Sequence, residues 1–163
     1  MIEAMNQRRR PTALLLLIGL AAVALAACAD EPEEPQRTLE RGTMTIVTEE
    51  GPVRLDVEIA ETDREKQTGL MHRESLGERS GMVFLEEQPV RIAFTMRNTR
   101  IPLSLAVWGP DGRIRSIIDM DPCRSEPCPS YDPGVAWVGA LEVNQGFFEE
   151  HGVEVGDVVR LEH

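Results

Sequence analysis

Three cysteines and three histidines are the residues of this 163-residue chain best suited to hold a metal, carry redox chemistry or serve as nucleophile and base. Cys123 and Cys128 stand together in "PCRSEPCPSYDPG". A zinc site needs two further ligands at finger-like spacing, and His72, His151 and His163 do not supply them. A redox pair favours two intervening residues near a helix start. Here four residues intervene, with Pro127 and Pro129 alongside. In an oxidising compartment Cys123 and Cys128 are expected to form a structural disulfide, worth about 2 kcal/mol for so short a ring. Metal ligation and free thiols are the lesser alternatives; no metal and no cofactor is expected. The chain has no G-x-S-x-G, no H-E-x-x-H and no glycine-rich phosphate loop. His72 becomes a general base only if the fold brings Glu74 or Asp119 to it; otherwise it is a dipole partner at a helix end.

Cys28 has a different setting. Arg8, Arg9 and Arg10 precede an apolar run over residues 13–27, the pattern of a secretory signal. The run is shorter than the roughly 20 residues a spanning helix needs. "LAAC", Leu25 to Cys28, resembles a lipobox. That resemblance implies cleavage before Cys28 and a diacylglycerol on its thiol, anchoring the chain to a membrane. The alternative is an ordinary signal peptide cut near Ala27. Ala29, where aspartate would retain a lipoprotein in the inner membrane, favours the outer one. Residues 28–42, with Pro32, Pro35 and many charges, read as a disordered tether. The folded domain is then expected over residues 43–163. Past Cys28, basic residues fall from 17 to 14 and acidic residues from 28 to 27, a formal charge of −13. Such a chain repels nucleic acid, which is excluded as a partner.

The elements that would position these side chains are mostly strands. In residues 53–60, Val53, Leu55, Val57 and Ile59 alternate with Arg54, Asp56 and Glu58, a half-buried strand. Thr62 and Glu65 form a capping box for a helix expected from Asp63 to Met71, with Gly69 inside it. Further strands are expected at 43–49, 81–86, 90–96, 103–109, 113–120, 135–143 and 156–162. Of these, 90–96 should place Val90, Ile92 and Phe94 on one face, and 135–143 should be central. Gly109 to Gly112, "GPDG", is a type I turn. Asn144 can cap a second short helix stopped by Gly152. The fold class is mainly β: a compact antiparallel sandwich or barrel with two short helices.

Four blocks occur in order: "TGLMHRESL" (68–76), "GMVF" (81–84), "MRNTRIPLSL" (96–105) and "ALEVNQGFFEEHGVEVGDVV" (140–159). Together they resemble the domain of unknown function 192 family over about residues 58–161. The resemblance implies a compact, mainly β domain, often exported, without an established activity. Two positions depart from the family pattern: Thr95 stands where an aromatic residue is common, and Ser104 where aspartate is common. A role that carboxylate has in relatives is therefore not expected here, although Ser104 can still donate or accept a hydrogen bond.

The 94–105 segment, "FTMRNTRIPLSL", reads first as a shaped turn, because Asn98 tolerates positive φ and Pro102 holds Ile101 extended. Met96, Ile101, Leu103 and Leu105 can face the core. The family-like blocks also allow Arg73, Met96, Asn98, Thr99 and Glu142 to share one cleft, suited to a neutral or anionic polar ligand. Trp108, Tyr131 and Trp137 can stack on a sugar, though core packing suits them better. The expected function is a monomeric or weakly associating, non-catalytic envelope module that binds a glycan, a small polar ligand or an envelope protein. The alternatives are a hydrolase-like enzyme using carboxylates or His72, and an interaction module using an exposed sheet edge. Intact mass of the envelope-extracted protein should fit a chain that begins at Cys28 and carries acyl groups; an unprocessed, acyl-free amino terminus would overturn the anchor.

Overall fold

The structure, a computed structural model, describes residues 39–163. Cys28, the leader and most of the tether lie outside the described residues. Nine strands and two short helices follow in the order β1 (Glu40–Thr48), β2 (Gly51–Ala60), α1 (Asp63–Thr68), β3 (Ser80–Val90), β4 (Phe94–Thr95), β5 (Leu103–Trp108), β6 (Ile114–Met120), β7 (Ser130–Tyr131), β8 (Trp137–Asn144), α2 (Phe147–Glu150) and β9 (Val158–Glu162). Seven strands form one sheet in the order β6-β5-β8-β3-β2-β1-β9, and β4 pairs with β7 in a small second sheet. The mainly β class with two short helices is what the chain adopts. The large sheet is mixed, however: β2 and β3 run parallel, because the crossover through α1 returns the chain in the same direction. Nor is it a closed barrel. One isolated bridge, Arg113 to Val158, links the start of β6 to β9, and the rest of those two edges stays unpaired with each other.

Each face of the sheet carries its own core. β5 shows how: Leu103, Leu105 and Val107 pack with Leu70, Met82, Met96 and Trp137, whereas Ala106 and Trp108 pack with Leu55, Ile59, Phe147 and Phe148. Side chains alternate across a strand, so a strand buried along its whole length must be apolar on both sides. All six residues of β5 are buried. β8 is apolar at all but one of its interior positions and lies between β5 and β3, as its long apolar run predicts. Close approach across this pair is needed at Gly139, which sits opposite Trp108. A Cβ built there would lie 2.2 Å from the indole.

Several local expectations are met. Thr62 accepts from the Glu65 N–H while the Glu65 carboxylate accepts from the Thr62 N–H. The Gly112 N–H donates to the Gly109 carbonyl, closing the β5–β6 turn. Gly152 takes a φ of 61° beyond α2. Cys123 and Cys128 are joined, their Cα atoms 5.4 Å apart.

Others are corrected. α1 ends at Thr68, and Gly69 is its C-cap with a φ of 46° rather than an interior residue. The strands expected at 81–86 and 90–96 are not two equal elements. β3 runs from Ser80 to Val90 through an irregularity between Leu85 and Val90, where Pro89 has no N–H to give the ladder. The chain then leaves the sheet. Ile92 is half exposed and does not share a buried face with Phe94. Asn144 does not cap α2. Its amide donates to the Leu76 and Gly77 carbonyls, and Gly146 occupies the N-cap. β1 begins at Glu40, ahead of Thr43. Gly139→Ala should destabilise the domain by about 1–3 kcal/mol through forced overpacking against Trp108, read as a lowered urea midpoint; an unchanged midpoint would show that the indole has room to move.

Candidate functional site

The site is built around a residue that breaks the apolar run of β8. Glu142 pairs with Met82 of β3 on one side and Leu105 of β5 on the other. Residues directly opposite share a face, so its side chain projects from the face that carries Leu70, Met96 and Trp137. Met82 and Leu105 are fully buried and cannot solvate a carboxylate. Glu142 itself is 7% exposed. Among the described residues its side chain has no hydrogen bond or ion pair. No fully occluded side-chain oxygen in the described residues lacks a partner, so the Glu142 oxygens are reached from an opening rather than sealed in protein.

That opening is a cavity of about 390 Å³. α1 contributes Asp63 and Lys66, and the turn after it contributes Leu70 and Met71. The aromatic wall is Phe84, Phe94 and Trp137, with Ile92 and Ala93 at the exposed side. Phe94 lies 5.4 Å from Trp137 and 6.1 Å from Phe84 between ring centroids. The Trp137 indole N–H donates to the Ile92 carbonyl, tying the segment between β3 and β4 to β8. Lys66 is paired with Glu86 at 3.0 Å, so its charge is already balanced. Burial pushes the Glu142 carboxyl up to about 7, because nothing compensates the loss of water around the charged form.

The structure separates the five residues grouped from the sequence. Glu142 and Thr99 line the same cavity. Met96 is 1% exposed and belongs to the core beneath. Asn98 lines a neighbouring shallow depression with His72, Arg100 and Cys123. Arg73 is elsewhere: its guanidinium pairs with Glu58 in a different cleft. The cation that pointed to an anionic ligand is thus neutralised by a strand residue and does not face Glu142.

The 94–105 turn is shaped as its residues require. The Thr99 N–H donates to the Met96 carbonyl at 3.1 Å, and Asn98 has a φ of 57°. His72 also lies at positive φ, 64°, and its N–H donates to the Asn98 carbonyl at 2.9 Å. These are the two non-glycine residues in that region of backbone space among the described residues, and they hold each other in it. The bond locks the turn after α1 to the Met96–Thr99 turn, and both turns line the cavity.

The residues weighed for catalysis do not converge. His72 is exposed, and its ring meets neither Glu74 nor Asp119. Glu74 pairs with Arg100, and Asp119 accepts from Ser104. Ser104 also accepts from the Gly146 N–H at 2.9 Å, so it braces β5 against the start of α2 on the face opposite Glu142. Trp108 is a core residue, and the Tyr131 hydroxyl bonds the Asp121 backbone. No group of three potential metal ligands occurs among the described residues. Lys66, Phe84, Glu86, Phe94 and Ala93 went unnoticed in the sequence as cavity residues. The one local signal was a glutamate inside the apolar run "GALEV".

Folded Glu142 keeps its proton up to about 7, against 4.5 for a solvated glutamate. Between these values the folded chain binds more protons than the unfolded one. Stability from this group is therefore greatest at the acid end, falls as pH rises through the window, and is lost above about pH 7. Glu142→Gln should flatten that slope and exceed the wild type at about pH 8 by up to about 3 kcal/mol. Urea midpoints at several pH values test this, and parallel curves for the two proteins would refute it.

Comparison with known proteins places the chain in a family. Solved structures resemble the chain, two of them as follows. One is a candidate transcription regulator from Sinorhizobium meliloti 1021, 27% identical, with a TM-score of 0.72 over 78% of this chain and 98% of that one. The other is a protein of unknown function from Novosphingobium aromaticivorans DSM 12444, 31% identical, with a TM-score of 0.71 over 78% of this chain and 89% of that one. No curated protein matches. The family DUF192, described as uncharacterized ACR, matches residues 45–161, nearly the whole described domain, and the chain belongs to that family.

Proposed function

We propose that this protein is a non-catalytic binding module of the bacterial envelope, monomeric, held at a membrane by acylated Cys28, which takes a small molecule into the Glu142 cavity. The observation that carries the reading is Glu142 itself: buried, unpartnered among the described residues, and open to a cavity with three aromatic side chains in its wall. Burying a carboxylate without a partner costs stability. A fold that retains one beside an accessible cavity has a use for it that the apolar neighbours cannot serve. The volume and the mixture of aromatic walls with a few polar groups suit a compact ligand with an apolar body and one polar end.

Binding is favoured over turnover because the lining offers no histidine, cysteine or serine beside Glu142, and its lysine is engaged by Glu86. The Sinorhizobium relative's description as a regulator does not transfer readily: a mature chain this acidic would be repelled by DNA.

Ala93 is exposed and lines the cavity, so Ala93→Trp should fill it without disturbing the core. Single-ring aromatic compounds screened by thermal melting should raise the wild-type Tm by a few degrees. Ala93→Trp should keep its own Tm and lose those shifts. Shifts that survive the substitution would remove the cavity as the site, and a wild type that answers to no compound would end the reading.

A further inference from the structure

We infer that the polar end accepted by this cavity is a positive charge, so that the ligand is a small organic cation: an ammonium group on an aryl or alkyl body, with its nitrogen against Glu142. The inference rests on the cavity reading above and names its ligand class.

The carboxylates of the domain differ in whether they already have partners. Glu58 is met by Arg73 and Arg41. Glu86 is met by Lys66, and Asp119 by the Ser104 hydroxyl. Glu142 is the buried carboxylate left without a partner among the described residues. The charged groups facing the cavity are Asp63 and Lys66 from α1, Glu86 from β3 and Glu142 from β8. With Lys66 and Glu86 cancelling, the remaining field is negative. An anionic ligand would enter against it, and a neutral one would leave the carboxylate either protonated or uncompensated. A cation supplies the missing partner at short range in a site of low dielectric, where a charge-assisted hydrogen bond is strongest.

The walls point the same way. Phe84, Phe94 and Trp137 line the cavity, and aromatic faces attract ammonium groups. The apolar remainder of the ligand would lie against Ile92 and Leu70. Below about pH 7, where Glu142 is protonated, binding an ammonium requires its proton to leave to solvent.

The test uses the full chain carrying Cys28→Ser, so that no acyl group forms, titrated calorimetrically with phenethylammonium, 2-phenylethanol and phenylacetate. The ammonium should bind at least about tenfold more tightly than the alcohol, and the acid more weakly than either. Glu142→Gln should erase the preference for ammonium over alcohol, while Glu142→Asp, which keeps the charge, should retain one. Ammonium affinity should fall as pH drops from about 8 to about 5, and alcohol affinity should not. Equal binding of ammonium and alcohol, a preference that survives Glu142→Gln, or binding of none of the three probes would overturn the inference. If binding is seen without the preference and is still blocked by Ala93→Trp, only the charge assignment fails. If binding is indifferent to Ala93→Trp, the cavity reading fails with it.

Discussion

The register of β8 between β3 and β5 is the constraint on which the rest of the site depends. It places Glu142 in a row with Met82 and Leu105, on a face that otherwise collects leucine, methionine and tryptophan. A slip of one residue would turn Glu142 toward the opposite core and bring Leu141 and Val143 to the cavity. That slip is blocked from both sides. Leu141 and Val143 fill the core that contains Phe147 and Phe148, and Gly139 must remain opposite Trp108 because no larger residue fits there. The glycine and the glutamate are three positions apart on one strand, and the packing of the first fixes the exposure of the second.

The cavity exists because the chain leaves the sheet after Val90. A strand continued through 91–96 would have stayed in the plane of the sheet. Instead Pro89 interrupts hydrogen bonding, Phe94 turns against Trp137, and the two-stranded β4–β7 piece caps one side. The turn after α1 closes another side, secured by the backbone bond between His72 and Asn98. Two residues in left-handed conformations near one opening are a cost in backbone energy. Here they join two turns that no ladder connects, and so give a loop-walled cavity a defined shape.

Electrostatics then separates scaffold from site. Arg73, Lys66 and Arg100 each sit beside a carboxylate, as expected in a chain with more acidic than basic residues. The exposed Arg100–Glu74 pair adds little stability, but all three pairs use up cations. Ser104 donates to Asp119 and accepts from Gly146, so it serves as a brace between β5 and α2. What remains is one buried acid facing solvent-accessible space between aromatic rings.

Short-range rules were enough to read much of this from the residues. The alternation of β2, the Thr62–Glu65 capping box, the 109–112 turn, the Gly152 stop and the Cys123–Cys128 pair each depend on groups a few positions apart, and each is present. The four ordered blocks likewise identified the family now shown over residues 45–161. What could not be read was partnership across the sheet. Arg73 finds Glu58 on β2, Asn144 abandons the helix start for carbonyls near residue 77, and Met96 goes under the site rather than into it. Periodicity says which side of a strand a residue takes, but not which strand will lie beside it. That was settled by the crossover that makes β2 and β3 parallel and seats β8 between β3 and β5, and with it the isolation of Glu142.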